Sequence, residues 1–78
     1  MPRFFFDVLD GRKATYDDAG MEFAGLEAAR QEAQRAIGEI VKDSMPDGDE
    51  HVVVIRVREE SGKTLLMIST VMTVARVG

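Results

Sequence analysis

The sequence predicts an α+β domain of order ββαββ, a four-stranded antiparallel sheet with one helix packed on one face. Three observations predict it. Phe4–Leu9, His51–Glu59 and Thr64–Val77 alternate with the period of a strand. The stretch between them, roughly Gly25–Met45, carries apolar residues at helical spacing. Turn chemistry falls at Asp10-Gly11 and at Glu60-Ser61-Gly62-Lys63, where neighbouring strands must reverse. The whole chain, residues 1–78, reads as a single domain.

The first strand, Arg3–Leu9, sets Phe4, Phe6 and Val8 on one face and Phe5 and Leu9, beside Arg3 and Asp7, on the other. With Asp10-Gly11 as a two-residue turn, a return strand through Arg12–Tyr16 pairs Phe6 with Thr15 and Phe5 with Tyr16. Lys13 then falls opposite Val8, a poorer match that leaves a longer loop and a shifted register open. Asp17-Asp18-Ala19-Gly20 reads as a turn, with Gly20 in the strained position and the aspartates bonding nearby backbone N–H groups. Met21–Ala24 leads into the helix.

On the helix, Leu26, Ala29, Ala33, Ala36, Ile37, Ile40, Val41 and Ser44 form the apolar stripe. Its alanines allow a close approach to the sheet, with room for the aromatic residues of the first strand. Glu32 with Arg35, and Arg35 with Glu39, are available as surface pairs. Gly38 lies off the stripe, and Pro46-Asp47-Gly48 ends the helix. In the second hairpin, Val57 faces Leu66 and Ile55 faces Ile68 on one side of the sheet. The other side pairs Arg58 with Leu65, Arg56 with Met67, Val54 with Ser69 and Val52 with Val71. Counting strands along the chain, an order of 2-1-3-4 keeps all neighbours antiparallel and centres the most apolar strands.

One helix covers one face, so the other face needs an occupant. Its residues are Phe5, Tyr16, Val52, Val54, Met67 and Val71, with Arg3, Asp7, Arg56 and Arg58 as a rim. An apolar centre inside an arginine and aspartate border has the composition of a homo-oligomer interface. Strand propensity alone also favours β-branched residues there. A domain this small draws only about 3–5 kcal/mol from its own core. Cysteine is absent, which removes disulfides and thiolate metal sites. A homodimer is therefore the expected support.

Other functions are disfavoured. Ten Lys and Arg against fourteen Asp and Glu give a net charge of −4. That opposes tracking along a phosphate backbone, although Arg3, Arg56, Arg58 and Lys63 make a local basic stripe. Asp7, Asp10, Asp17 and Asp18 are better explained by turns and rim pairing than by a metal site, because the hairpin separates them. Asp47-Gly48-Asp49-Glu50 lacks the remaining ligands of a calcium loop. His51 shows no orienting carboxylate or nucleophile at a readable spacing, and Ser44, Ser61 and Ser69 fit structural positions. Gly20, Gly25 and Gly38 are too scattered for a phosphate loop. The expectation is a non-enzymatic protein without cofactor or metal. Asp7 interrupts the N-terminal apolar run and no run is long enough to span a bilayer, so a cytoplasmic location is expected.

The motifs Met1-Pro2-Arg3-Phe4-Phe5-Phe6-Asp7, Asp10-Gly11, Asp17-Asp18-Ala19-Gly20-Met21-Glu22 and Leu26-Glu27-Ala28-Ala29-Arg30 resemble a family of short bacterial proteins of unknown function. Pro46-Asp47-Gly48 and the Glu60–Lys63 turn extend the likeness over nearly the whole chain. Members often carry aspartate or serine where Gly25 stands here. The resemblance implies the fold boundaries and no activity. The first half is also similar to HicB-like antitoxins, in which a short β-meander precedes a helix. That likeness implies binding to a small protein partner.

Overall fold

The computed structural model describes residues 1–43 and 50–78. Strand β1 (Arg3–Asp10) is followed by β2 (Lys13–Thr15), β3 (Met21–Glu22), helix α1 (Leu26–Asp43), β4 (Glu50–Glu59) and β5 (Thr64–Thr73). The sheet is antiparallel with order β2-β1-β4-β5, and β3 also pairs with β1. The expected α+β class and strand order hold. The expected strand count changes, because Met21 and Glu22 form a short fifth strand opposite Phe4 and Arg3. Both short strands lie along the same side of β1, at its two ends. The expected helix end, Ser44 and Met45, and the stop at Pro46-Asp47-Gly48 lie outside the described residues.

Alternation sorts the sheet as period two requires. Phe4, Val53, Ile55 and Val57 are buried against Ala29, Ala33 and Ile37 of α1, with Phe6, Val8, Leu66 and Ile68 packed around them. The alanine waist brings the helix close to β4. Phe23 completes this layer, with its ring edge-on to Phe6 at 5.8 Å and tilted against Phe4 at 6.3 Å. Leu26 departs from the expected stripe and is exposed. The Gly25 carbonyl accepts the first helical bond from the Ala29 N–H at 3.2 Å. On the solvent side, Glu27 pairs with Arg30 at 2.7 Å and Glu32 with Arg35 at 2.6 Å.

The first hairpin departs from its expected register by two residues. Val8 faces Thr15, Leu9 faces Ala14 and Asp10 faces Lys13, so Gly11 and Arg12 form the turn. Gly11 has φ of +63°, and its N–H donates to the Val52 carbonyl at 2.9 Å. The shift removes Lys13 from its poor match with Val8 and preserves the faces, since two residues is one full period. It also ends β2 at Thr15, so Tyr16 does not pair with Phe5. The second hairpin keeps its expected register from Glu50 to Val57, after which a bulge sets Arg58 opposite Thr64. Leu65, expected opposite Arg58, is the extra residue and packs toward the core.

Candidate interaction surface

The face of the sheet away from α1 has two halves with different chemistry. Row by row across β1 and β4, Phe5 faces Arg58, Asp7 faces Arg56 and Leu9 faces Val54. On β5, Met67 continues the Arg56 row, Ser69 the Val54 row and Val71 the Val52 row.

The half near the start of β1 is closed by residues 16–20, which cross it as a strap. Asp7 lies at its centre with no exposure, although its place in the sequence predicts a rim. Its Oδ2 accepts from Arg56 Nη2 and Arg58 Nε, both at 2.7 Å, and from Arg56 Nε at 3.0 Å. Its Oδ1 accepts from Arg58 Nη2 at 3.1 Å and from the Asp17 N–H at 3.0 Å. Arg58 also donates to the Asp17 carbonyl at 2.7 Å and stacks over Phe5, 5.0 Å from the ring centroid. Burial pushes the Asp7 carboxyl up. The bonds from Arg58, the Asp17 backbone and Arg56 outweigh it and hold the group down at about 2.

Asp17 performs a second task. Between β3 and β2, the side of β1 away from β4 has no strand beside it among the described residues. The Phe6 N–H there donates to Asp17 Oδ2 at 3.0 Å, while Asp17 Oδ1 takes the N–H groups of Ala19 and Gly20 at 3.1 and 3.0 Å. A carboxylate thus stands in for the missing strand. Burial pushes Asp17 up, and the N–H groups of Gly20, Phe6 and Ala19 outweigh it, so its carboxyl sits below the usual range. Gly20 has φ of +71°, and a Cβ there would lie 2.8 Å from Arg3 Cγ and Phe5 Cε2. Arg3 ties down the end of the strap through the Ala19 carbonyl at 3.0 Å and Glu22 at 3.1 Å.

The other half is open. Leu9, Met67 and Val71 are exposed, and Val52 and Val54 are half-buried. Beside it runs β5, whose outer edge pairs with no strand among the described residues. Thr64–Thr73 contains no charged residue, proline or glycine. Of the residues expected to form an interface, Val52, Val54, Met67 and Val71 gather here. Phe5, Arg56 and Arg58 belong to the closed half, and Tyr16 stands exposed at the start of the strap.

At the far end of the sheet, His51 Nε2 lies 2.5 Å from Asp10 Oδ1, and the His51 ring rests against Gly11. Sequence spacing hid this partner, 41 positions away, because the pairing of β1 with β4 creates the contact. Among the described residues no three His, Cys, Asp or Glu side chains gather to hold a metal ion, and no helix is long and apolar enough to cross a membrane.

Residues 3–71 match the family described as Domain of unknown function (DUF6894). The chain belongs to this family. The matched span runs from the first residue of β1 into β5, and so takes in the strap and the helix. No curated protein and no solved structure matches the chain.

Proposed function

We propose that this DUF6894 chain is a protein–protein association module whose first partner is a second copy of itself, forming a homodimer along the open side of its sheet. The observation that carries this reading is β5, a ten-residue edge strand without charge or proline. Long, uncharged edges template pairing with another chain, and natural proteins blunt them with charge, proline, a bulge or a cover. The single bulge of β5 lies at its start, and the rest of the edge is regular. The adjoining patch of Leu9, Val52, Val54, Met67 and Val71 adds apolar area to the same side. The role is assembly, with no reaction assigned. Sedimentation equilibrium across the micromolar range tests it, with a dimer mass expected. A monomer throughout that range removes the proposal.

A second reading is binding of a small basic protein, as HicB-like antitoxins bind their toxins. The same edge would receive a strand of the partner, and the net charge of −4 favours a basic one. Co-purification of a small basic protein with a monomeric chain supports this reading over the first.

A further inference from the structure

We propose that the second copy joins edge to edge, with β5 pairing antiparallel to its own counterpart so that two four-strand paths become one continuous eight-strand sheet. The inference rests on the self-association reading and gives it a geometry.

Three sides of β5 are unfinished. Its outer side carries exposed Met67 and Val71. Its helix side carries Leu66, Ile68 and Met72 only half-buried, because α1 buries its alanines chiefly against β4. Its outer edge has no strand beside it among the described residues. A partner stacked on the outer face would cover the first of these alone. A second β5 covers all three, since its backbone satisfies the edge and its side chains extend the layer on both faces.

Self-pairing also suits the charges. Thr64–Thr73 is neutral, so no like charges meet along the seam. In the antiparallel arrangement the Glu59–Lys63 turn of one copy lies toward the C-terminal segment of the other. Glu59, Glu60 and Lys63 of that turn then approach Arg76 of the second copy, so two acids meet two bases, and the twofold repeats the match at the other end of the seam.

The opposite edge is unsuited to the same use. It is built from β2 and β3, of three and two residues, with Lys13 on β2 and Asp17 already bonded to the free N–H between them. Among the described residues the sheet therefore has one edge available.

Symmetry fixes a further detail. A twofold axis relating adjacent antiparallel strands stands perpendicular to the sheet, and paired residues must point to the same face. One residue must therefore sit opposite its own copy. Overlap of Thr64–Thr73 is greatest when that residue is Ile68 or Ser69. Directly opposed residues in an antiparallel pair have Cα atoms about 4.5–5.5 Å apart, inside the range a disulfide bridges.

The absence of cysteine from the chain makes the test clean. Ile68→Cys and Ser69→Cys are made singly in the full chain, with Ala14→Cys on β2 as the control edge. Each is oxidised at a concentration where the parent mass has been measured. The expected result is a dimer mass for the parent, with rapid disulfide dimerisation of Ile68→Cys or Ser69→Cys at least tenfold faster than Ala14→Cys. A dimer mass with neither variant exceeding the control overturns the edge geometry and leaves self-association standing. A monomeric parent overturns both. Circular dichroism of each reduced variant shows that it is folded, and where Ile68→Cys is not, an equimolar mixture of Met67→Cys and Ser69→Cys, which face each other when Ile68 meets its own copy, replaces it.

Discussion

The two edges of this sheet are finished in opposite ways. Along β1, two short strands and an aspartate side chain occupy the backbone, and a glycine turn lays the strap across a buried ion cluster. Along β5, ten residues carry uncharged side chains and an outer edge that no described strand pairs. The chain concentrates its polar chemistry where the monomer ends and leaves the other boundary plain. A boundary built from Asp7, Asp17, Arg56 and Arg58 belongs to one chain alone. A boundary without charge is suited to continuation by another.

The sharpest way to break this contrast is Asp7→Ala. Arg56 and Arg58 would then face each other without their anion, and the Asp17 N–H would lose its acceptor. Removing one member of a buried ionic group costs about 3–5 kcal/mol. The arginines keep some contact with water, with side-chain exposures of 36% and 22%, which places the expected loss at the lower end, about 3 kcal/mol. Urea unfolding measures it. The association constant of the folded fraction should stay as in the parent, because the cluster lies at the closed edge.

Acid should act on the same cluster. Asp7 titrates near 3.8 when unfolded and at about 2 when folded, so its contribution is complete above about pH 4 and is lost as pH falls through 2. Asp17 shifts in the same direction. After allowance for screening by water, the loss from Asp7 is about 1–2 kcal/mol. Urea midpoints between pH 5 and pH 2 should therefore fall in the parent and fall less in Asp7→Asn. Parallel slopes in the two proteins would show that Asp7 is not held down by its arginines.

Much of this contrast was legible in the sequence, and the part that was not has a definite cause. Period two placed Phe4, Phe6, Ile55 and Val57 on the helix side correctly, because burial fixes parity. The chemistry of Asp17-Asp18-Ala19-Gly20 announced a turn, and Gly20 does take positive φ. Where that turn would lie was hidden, since its position depends on the register between β1 and β4. The same register brings Asp7 opposite Arg56, one row along the same face from Arg58, and turns an expected rim into a buried centre. A lone acid among the aromatic residues of β1, with two arginines spaced two apart on β4, was the available signal. The His51–Asp10 contact escaped for the same reason, being a product of strand pairing and not of spacing.

Gly20→Ala sharpens the contrast at lower cost. A left-handed conformation at a residue with a side chain costs about 1–2 kcal/mol. The added Cβ also meets Arg3 and Phe5 at 2.8 Å, so one of them must move. A loss of about 2 kcal/mol is expected, again with the association constant unchanged. Faster hydrogen exchange at the Phe6 N–H should accompany it, because a displaced strap withdraws the Asp17 carboxylate from that group. Unchanged protection at Phe6 would mean that the strap tolerates the substitution and that the close approach of Gly20 is incidental.

The smallest expected effect on stability falls on the open edge, and it discriminates best. Val71 is 57% exposed and sits on the uncharged strand. Surface substitutions of this kind change stability by no more than about 0.5 kcal/mol. Val71→Lys should therefore unfold at nearly the parental urea concentration under dilute, monomeric conditions. A lysine on a strand edge is also a device by which monomers prevent edge pairing. Two copies of it along one seam would add like charges where the parent has none, so dimerisation should weaken at least tenfold. Stability and association then separate in opposite directions at the two edges: Asp7→Ala lowers the first and spares the second, while Val71→Lys does the reverse. If Val71→Lys instead destabilised the monomer as Asp7→Ala does and left the mass unchanged, β5 would be an integral wall of the monomer, and the contrast between a closed edge and an open one would fail.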